Sequence, residues 1–335
     1  MPAKPIDVHD PIAQRLCALA HESPDLKAAA QLYEAILPLL RDADLHCAPV
    51  SLTRDQIREK LDRGVPLLHD LDLELDREAV RDLMLRLARA VAAIGEKSPW
   101  HTLRLPWRRA PQETDTAAGC IRLAIEENRL DLGALLPLIT ANERVVVTAA
   151  AQDLRLDPDL VWTLAQNALK PALRAWCRQL TPLAGDMPWN KGACYVCGAV
   201  ATLGELQEND QVKHLRCGQC GADWPFRRLQ CMYCGNEDQK TLGCLYEEGR
   251  HEEKRVEVCD QCKGYLKVIP AFAPTAAELL TVEDLATLRL DYIAQERGYA
   301  RAAVKEPAKG TAGMVCETIK QDKDRRKTSE IQNPA

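Results

Sequence analysis

The stretch HLRCGQCGADWPFRRLQCMYCG, residues 214–235, holds two Cys-x-x-Cys pairs separated by ten residues, and glycine directly follows each pair. The same pattern occurs upstream in CYVCG at 194–198, and a variant of it occurs downstream in CDQCKG at 259–264. A Cys-x-x-Cys turn places two thiolates on one side of a tight loop, where both can bind one metal ion. Glycine after the second cysteine permits a positive φ, so that backbone N–H groups can turn toward the sulfur atoms. Four such turns close together predict a metal-dependent fold.

The spacing of the pairs divides the eight cysteines into two sets of four. Nineteen residues separate the first pair from the second, and 24 separate the third from the fourth, which leaves room for a β-hairpin in each set. Sequential pairing predicts two consecutive ribbon modules, each with a tetrahedral S₄ site that suits zinc or a single iron. A cross-braced pairing of the first turn with the third stays open. The predicted metal ligands are Cys194, Cys197, Cys217, Cys220, Cys231, Cys234, Cys259 and Cys262.

Several roles could explain these cysteine turns. A structural metal would replace the core that a module of about 35 residues cannot build. A single iron would permit electron transfer, as in a rubredoxin. Thiol–disulfide exchange is disfavoured, because the pairs do not begin a helix of a βαβ unit. Nucleic-acid binding is disfavoured because residues 191–270 carry eleven Lys or Arg against twelve Asp or Glu, a net charge of −1.

Other residues of the region receive structural interpretations. With eight cysteines completing two sites, His214 and His251 are expected to be solvated rather than to bind metal. Trp224 is expected to pack over a cysteine turn or between the modules. The six scattered cysteines are interpreted as small apolar or solvent-facing side chains; they are Cys17, Cys47, Cys120, Cys177, Cys244 and Cys316.

The composition of the chain predicts its class and compartment. It has 335 residues, enough for two or three domains, and a net charge of −5, which argues against a nucleic-acid partner. No apolar run reaches the roughly 18 residues of a membrane span. The first residues, MPAKPIDVHDPIAQRL, lack the apolar region of a signal peptide. We therefore expect a cytoplasmic protein without a membrane span, where disulfides are disfavoured and fourteen cysteines need another explanation.

The hydrophobic periodicity changes along the chain. Up to residue 185 it is helical, with a capping box at Thr53–Gln56 and helix starts at Asp76 and at Asp157-Pro158. The Pro- and Gly-rich segment 181–193 is interpreted as a linker. Short strand-like runs then alternate with the cysteine turns to about residue 272, and the segment 275–301 is again helical.

The predicted fold class is α+β: a helical N-terminal domain followed by two small rubredoxin-like (zinc-ribbon-like) Cys₄ β modules and a C-terminal helix. The predicted boundaries are 1–185 for the helical domain, 186–230 and 231–272 for the modules, 273–303 for the C-terminal helix and 304–335 for a disordered tail.

Four motifs together resemble the family of the formate dehydrogenase accessory protein FdhE. They are CYVCG at 194–198, HLRCGQCGADWPFRRLQCMYC at 214–234, CDQCKGYLKV at 259–268 and EDLATLRLDYIAQERGYAR at 283–301. The resemblance covers about a third of the chain. It implies a cytoplasmic assembly or maturation factor that binds the catalytic subunit of a respiratory formate dehydrogenase, a molybdenum- or tungsten-pterin protein, and is needed for its activity. It also implies rubredoxin-like modules associated with iron, so that iron is favoured over zinc for the two ions.

One residue departs from the repeated pattern. Lys263 stands where the other three turns have glycine, and Gly264 follows it, so the fourth turn is expected to differ in conformation and to have weaker N–H···S bonding. We expect no enzyme, because the sequence contains no nucleophile–base pair or cofactor-binding loop, and four-ligand sites leave no open position. The rival interpretation is a redox-active iron protein that transfers electrons to or from the dehydrogenase. Self-association is left open.

Overall fold

The computed structural model of the chain describes residues 10–43, 45, 47–96, 116–140, 143–207, 211–247 and 254–301. Eight α-helices of the described part precede the sheet: α1 (Pro11–Glu22), α2 (Lys27–Arg41), α3 (Arg54–Asp62), α4 (Arg77–Glu96), α5 (Ala117–Glu126), α6 (Leu132–Thr140), α7 (Arg144–Asp153) and α8 (Pro158–Ala184). Six strands follow: β1 (Leu203–Gln207), β2 (Val212–Arg216), β3 (Asp223–Pro225), β4 (Leu242–Tyr246), β5 (Arg255–Cys259) and β6 (Tyr265–Ala271). The last described helices are α9 (Leu280–Ala286) and α10 (Leu288–Glu296). The α+β fold class is confirmed, whereas the tail predicted at 304–335 lies outside the described residues.

The predicted helix starts are present. Thr53 and Gln56 form a reciprocal capping box, with the Gln56 side chain accepting from the Thr53 backbone N–H at 2.8 Å. The Asp76 carboxylate accepts from the backbone N–H of Ala79 at 2.9 Å. Asp157 caps α8 in the same way, with Pro158 in the first turn, where its missing N–H has no helical partner to lose.

The core of the helical half is organised around α8. Helices α2 to α7 all pack on it, and fourteen of its 27 residues are buried. The largest of these, Trp176, is 2% exposed, and its indole N–H donates to the carbonyl of Ala48 at 3.0 Å. The helix continues through Pro171 and ends at Gly185, which has a φ of 53°. Its last turn therefore occupies the start of the segment interpreted as a linker, 181–193.

The two cysteine hairpins share one six-stranded sheet, in the order β3-β2-β1-β6-β5-β4. Strands β1 to β3 belong to the first hairpin and β4 to β6 to the second, and neighbours within each are antiparallel. The central pair, β1 and β6, is parallel, with Gly204 opposite Val268. Main-chain hydrogen bonds thus join the two predicted modules, a connection that the cysteine spacing did not predict.

The C-terminal helical segment is divided into α9 and α10 at Thr287. The Thr287 hydroxyl donates to the carbonyls of Glu283 and Asp284 at 2.8 and 3.0 Å, a local bond that competes with regular helix geometry. Both helices lie beside the sheet, with Leu290 and Ala294 of α10 packed against Val256 and Val258 of β5.

A buried polar cluster attaches these two helices to the sheet. Lys267 of β6 is fully buried, and its ammonium lies 2.7 Å from Asp284 and 2.6 Å from Asp291. Tyr265 donates to Asp291 at 2.7 Å, and Arg301 contacts the same carboxylate at 3.0 Å. Among the described residues, no helix combines the length and apolar character that crossing a membrane requires.

Candidate metal centres

The first cysteine group lies where the first hairpin meets the helical half. Cys194 and Cys197 come from the turn before β1, and Cys217 and Cys220 come from the turn between β2 and β3. The sulfur of Cys194 is 3.5 Å from that of Cys220, and the sulfurs of Cys197 and Cys217 are also 3.5 Å apart. All four cysteines are buried.

The second group has the same arrangement in the second hairpin. The sulfur of Cys231 lies 3.6 Å from that of Cys262, and the sulfur of Cys234 lies 3.7 Å from that of Cys259. Cys231 and Cys259 are buried, whereas Cys234 and Cys262 are exposed. The structure therefore gathers the eight predicted ligands by sequential pairing, not by cross-bracing.

The donor sets fit tetrahedral thiolate metal sites. A metal with four sulfurs at about 2.3 Å gives sulfur–sulfur edges of about 3.8 Å, and within each group the four sulfurs lie within 4.8 Å of one another. Four sulfur donors favour zinc or a single iron over the hard cations that prefer oxygen. Each group can hold one metal ion.

The backbone of the turns supports this chemistry. Gly198, Gly221 and Gly235 have φ values of 77°, 82° and 75°, and each donates its N–H to the carbonyl of the first cysteine of its turn at 2.9 Å. Lys263 has a φ of 57°, so the fourth turn adopts the same left-handed conformation, and the expectation of a different turn was wrong. Gly264 still donates to the Cys262 sulfur at 3.4 Å.

Lys263 is held in this conformation by its neighbours. Its ammonium lies 2.6 Å from Asp260 and over the ring of Tyr299, while its carbonyl accepts from Ala300 at 2.8 Å. Gly264 is required at the next position, because a Cβ there would lie 2.4 Å from the Tyr233 ring.

The first centre is attached to the helical half by its own backbone. The N–H groups of Leu67 and Leu68, between α3 and α4, donate to the carbonyls of Tyr195 and Val196 at 2.7 and 2.9 Å. The Tyr195 hydroxyl lies 2.9 Å from the hydroxyl of Thr181 on α8. The core of the helices is therefore continuous with the first cysteine turn.

Three side chains of α8 reach the first centre, and the sequence interpretation did not assign them to it. Cys177 is buried, and its thiol lies 3.6 Å from the Thr181 hydroxyl; a hydrogen bond with Cys220 lowers the pKa of Cys177. Lys170 and Arg174 are 7% and 6% exposed and lie one helical turn apart. Their spacing of four residues indicates that both cations lie on one face of the helix, but helical periodicity alone does not show which element that face contacts.

Burial and hydrogen bonding together determine how readily the ligands ionise. Burial raises the pKa of Cys194 well above its ordinary value, so this thiol needs a metal cation to exist as thiolate at neutral pH. At Cys259 burial acts in the same direction, but hydrogen bonds from the Cys262 N–H and the Asn236 amide outweigh it and lower the pKa to about 7. The Asn236 amide nitrogen lies 3.4 Å from the Cys259 sulfur.

The other residues singled out in the sequence have varied positions. Trp224 packs beside the first turn, as predicted, with its ring edge-on to that of Tyr195 at 6.2 Å. Its indole N–H donates to the carbonyl of Lys191. His214 is half-buried and lies 2.7 Å from Asp223, so the prediction of a solvated side chain was wrong. Neither cysteine group includes it.

The scattered cysteines also differ in exposure. Cys17, Cys120 and Cys244 are exposed and Cys47 is half-buried. His251 and Cys316 lie outside the described residues.

Comparison with known proteins confirms the resemblance of this chain to the FdhE family. Residues 229–306 match the family model described as FdhE, C-terminal domain. A protein FdhE homolog from Stutzerimonas stutzeri (strain A1501) is 34% identical over 151 residues, which cover 44% of this chain and 48% of the relative. The chain thus spans about half the length of that relative. The FdhE homolog from Enterobacter sp. (strain 638) is 25% identical over 301 residues, which cover 87% of this chain and 85% of the relative.

A solved structure extends the similarity to the fold. The crystal structure of the FdhE protein from Pseudomonas aeruginosa matches 88% of this chain and 92% of its own with a TM-score of 0.52, at 23% identity. The helical half and the cysteine sheet therefore share the architecture of an FdhE protein.

Proposed function

We propose that this FdhE-like chain is a cytoplasmic accessory factor that binds the catalytic subunit of a respiratory formate dehydrogenase and supports its maturation. The observation that carries the proposal is the combination of an FdhE C-terminal domain at 229–306 with two complete Cys₄ groups. The family resemblance suggests the identity of the partner, and the cysteine groups are proposed to form a rigid surface that binds it.

The eight cysteines are proposed as the ligands of two metal ions, with iron favoured by the resemblance and zinc as the alternative. Each bound ion would fix the relative positions of the two turns that supply its ligands. Loops fixed in this way lose little conformational entropy on binding a partner, which favours affinity without a large interface.

A binding role suits the chemistry of the centres better than catalysis. Four thiolates satisfy a tetrahedral ion and leave no position open for a substrate. The segment that carries the centres has a net charge of −1, which suits a protein partner better than a polyanion. The proposed factor is therefore not an enzyme.

The test is an anaerobic co-purification of tagged formate dehydrogenase catalytic subunit with the full-length chain. Wild type should be recovered with the subunit, while Cys194→Ser and Cys231→Ser variants should be recovered poorly and should lower dehydrogenase activity in cells at unchanged subunit abundance. A matched control is Cys17→Ser, an exposed cysteine on α1 outside both groups. Equal recovery of all variants would assign the contact to the helical half alone. Absence of wild-type binding, with normal activity in a deletion strain, would overturn the proposal.

A second candidate function is electron transfer to or from the dehydrogenase through iron. The exposure of Cys234 and Cys262 favours it, because two ligands at the surface would shorten the path from the metal to a partner. A reversible one-electron couple in the iron-loaded chain would support this function, and a protein that matures the dehydrogenase equally well with zinc would exclude it.

A further inference from the structure

We propose that the two centres differ in lability: the second releases and exchanges its metal ion through its exposed ligands Cys234 and Cys262, while the first keeps its ion. The inference rests on the proposed function in one respect, namely that both groups hold a metal ion. It assigns different roles to two centres that have the same ligands and nearly the same spacing.

The ligands of the two centres differ in their exposure to solvent. In the first centre the four cysteines are 0%, 7%, 0% and 2% exposed in chain order. In the second centre Cys231 and Cys259 are 8% and 1% exposed, but Cys234 and Cys262 face solvent. A chelator or competing thiol removes a metal by displacing one ligand at a time, so exposed thiolates are the natural points of attack.

The two centres also differ in the space around their buried ligands. Cys231 and Cys259 line a pocket of about 400 Å³ between the sheet and residues 228–233, with Leu242 and Cys244 of β4 on its wall. At the first centre, the cavity that touches Cys197 measures about 20 Å³, which is room for about one water molecule. Small molecules can thus approach the second centre from two sides.

Buried positive charges of α8 distinguish the first centre from the second. A divalent ion with four thiolates is a dianion, and burying it favours nearby cations. Lys170 and Arg174 supply two buried positive charges, and the charge of Cys217 acts on both. Their nearest hydrogen-bond acceptors are neutral, the Thr281 hydroxyl at 3.4 Å and the Ala277 carbonyl at 3.0 Å. The carboxylates of Asp284 and Glu278 also act on Lys170 and Arg174, so loss of the ion and protonation of the thiolates would remove part of the counter-charge of these buried cations.

The cations near the second centre are already neutralised in part. Lys213 and Arg255 line the pocket, but both contact Glu257, at 3.0 and 2.8 Å. Removing the metal there therefore leaves a smaller charge imbalance. The exposed ligands, the adjoining pocket and the paired cations all indicate that the second centre binds its metal ion more weakly than the first.

The experiment uses the wild-type full-length chain loaded with two zinc ions, as verified by native mass spectrometry. It is mixed with EDTA, and samples are pulsed with N-ethylmaleimide and digested to identify the modified cysteines. We expect Cys231, Cys234, Cys259 and Cys262 to become reactive at least tenfold faster than the four cysteines of the first centre. Equal rates or the reverse order would overturn the inference while leaving metal binding intact. A chain that takes up no zinc would overturn the proposed function as well.

Substitution of Lys170 tests whether the buried cations slow metal release from the first centre. Lys170→Met removes one buried cation at similar side-chain length, and the exposed Lys27→Met on α2 is the matched control. The first substitution should speed zinc release from the first centre several-fold and leave the second unchanged, whereas the control should change neither. An unchanged rate of zinc release from the first centre in Lys170→Met would show that this cation does not help to retain the metal. If that variant does not fold, the order of labelling in the wild-type chain still decides between the two centres.

Discussion

Gly204 lies opposite Val268 in the parallel strand pair β1–β6, and this pair is where the two metal hairpins become one sheet. The approach is close: a Cβ at Gly204 would lie 3.0 Å from Val268 Cγ2 and 3.1 Å from Leu266 Cδ2. A methyl group at this position would therefore require the side chains of Val268 and Leu266 to shift by a few tenths of an ångström. The absence of a side chain permits the junction, and the stability of each hairpin is linked to that of the other through it.

Substitution of Gly204 by alanine should weaken this junction. Overpacking of a buried site costs about 1–3 kcal/mol in unfolding free energy, and we expect a loss in that range by urea denaturation of the metal-loaded chain. The control is Gly243→Ala on the edge strand β4, where the new Cβ would lie 3.3 Å from one Val258 methyl and the residue is exposed. An equal loss of unfolding free energy in the two variants would show that the close approach at Gly204 does not cause the destabilisation.

The cysteine grouping could be predicted because it depends on local features. The 19 and 24 residues between paired turns leave room for a hairpin in each set, which favoured the sequential pairing over the cross-braced one, and the glycine after three of the four pairs marks the left-handed position. The helix starts at Thr53, Asp76 and Asp157 could be predicted for the same reason, since a cap is a contact between residues three positions apart.

The features that the sequence did not reveal depend on long-range contacts. The parallel pairing of β1 with β6 joins residues more than sixty positions apart, and neither strand pattern specifies its neighbour. Lys263 was expected to alter its turn, but tertiary contacts with Tyr299 and Ala300 hold it in the conformation that glycine adopts elsewhere. The position of Lys170 beside the first centre likewise follows from how α8 packs on the sheet.

Removal of the Asp291 carboxylate should be strongly destabilising. It accepts from Tyr265 and pairs with Lys267 and Arg301, so Asp291→Ala leaves a fully buried ammonium with fewer partners. Breaking a buried pair from one side costs about 3–5 kcal/mol. The exposed pair of Asp25 with Arg289, at 3.5 Å, gives the comparison, and Asp25→Ala should have a far smaller effect. Thermal and urea unfolding of both variants would check the difference, and similar losses would contradict it.

The left-handed conformation of Lys263 gives a test of the fourth turn. Lys263→Gly removes the steric conflict of a Cβ at a φ of 57° and should slow zinc release from the second centre. Lys263→Ala keeps the Cβ but loses the contacts with Asp260 and Tyr299, and should speed release relative to wild type. Chelator competition followed by cysteine labelling measures both rates. Faster release in the glycine variant would mean that the lysine contacts outweigh the backbone strain.

Loss of a ligand should have different consequences at the two centres. Cys231→Ser should unfold the second hairpin and leave most helical signal intact, because none of the four ligands of that centre belongs to the buried cluster that joins α8 to the first cysteine turn. The second centre touches that cluster through the partly buried side chain of Met232.

Cys194→Ser should instead lower the midpoint of helix melting, since Cys194 belongs to the same buried cluster as the helices, and Leu67 and Leu68 bond directly to its turn. Circular dichroism at 222 nm during heating of the zinc-loaded variants measures both effects. The β1–β6 strand pair at Gly204 reduces the difference between the two variants, because unfolding of the second hairpin removes the strand that pairs with β1. The experiment therefore compares the strength of this strand pair with that of the contacts between the first cysteine turn and the helices. If Cys231→Ser melts the helices as early as Cys194→Ser does, the parallel strand pair transmits unfolding through the whole chain, and the helices and both hairpins form one cooperative unit.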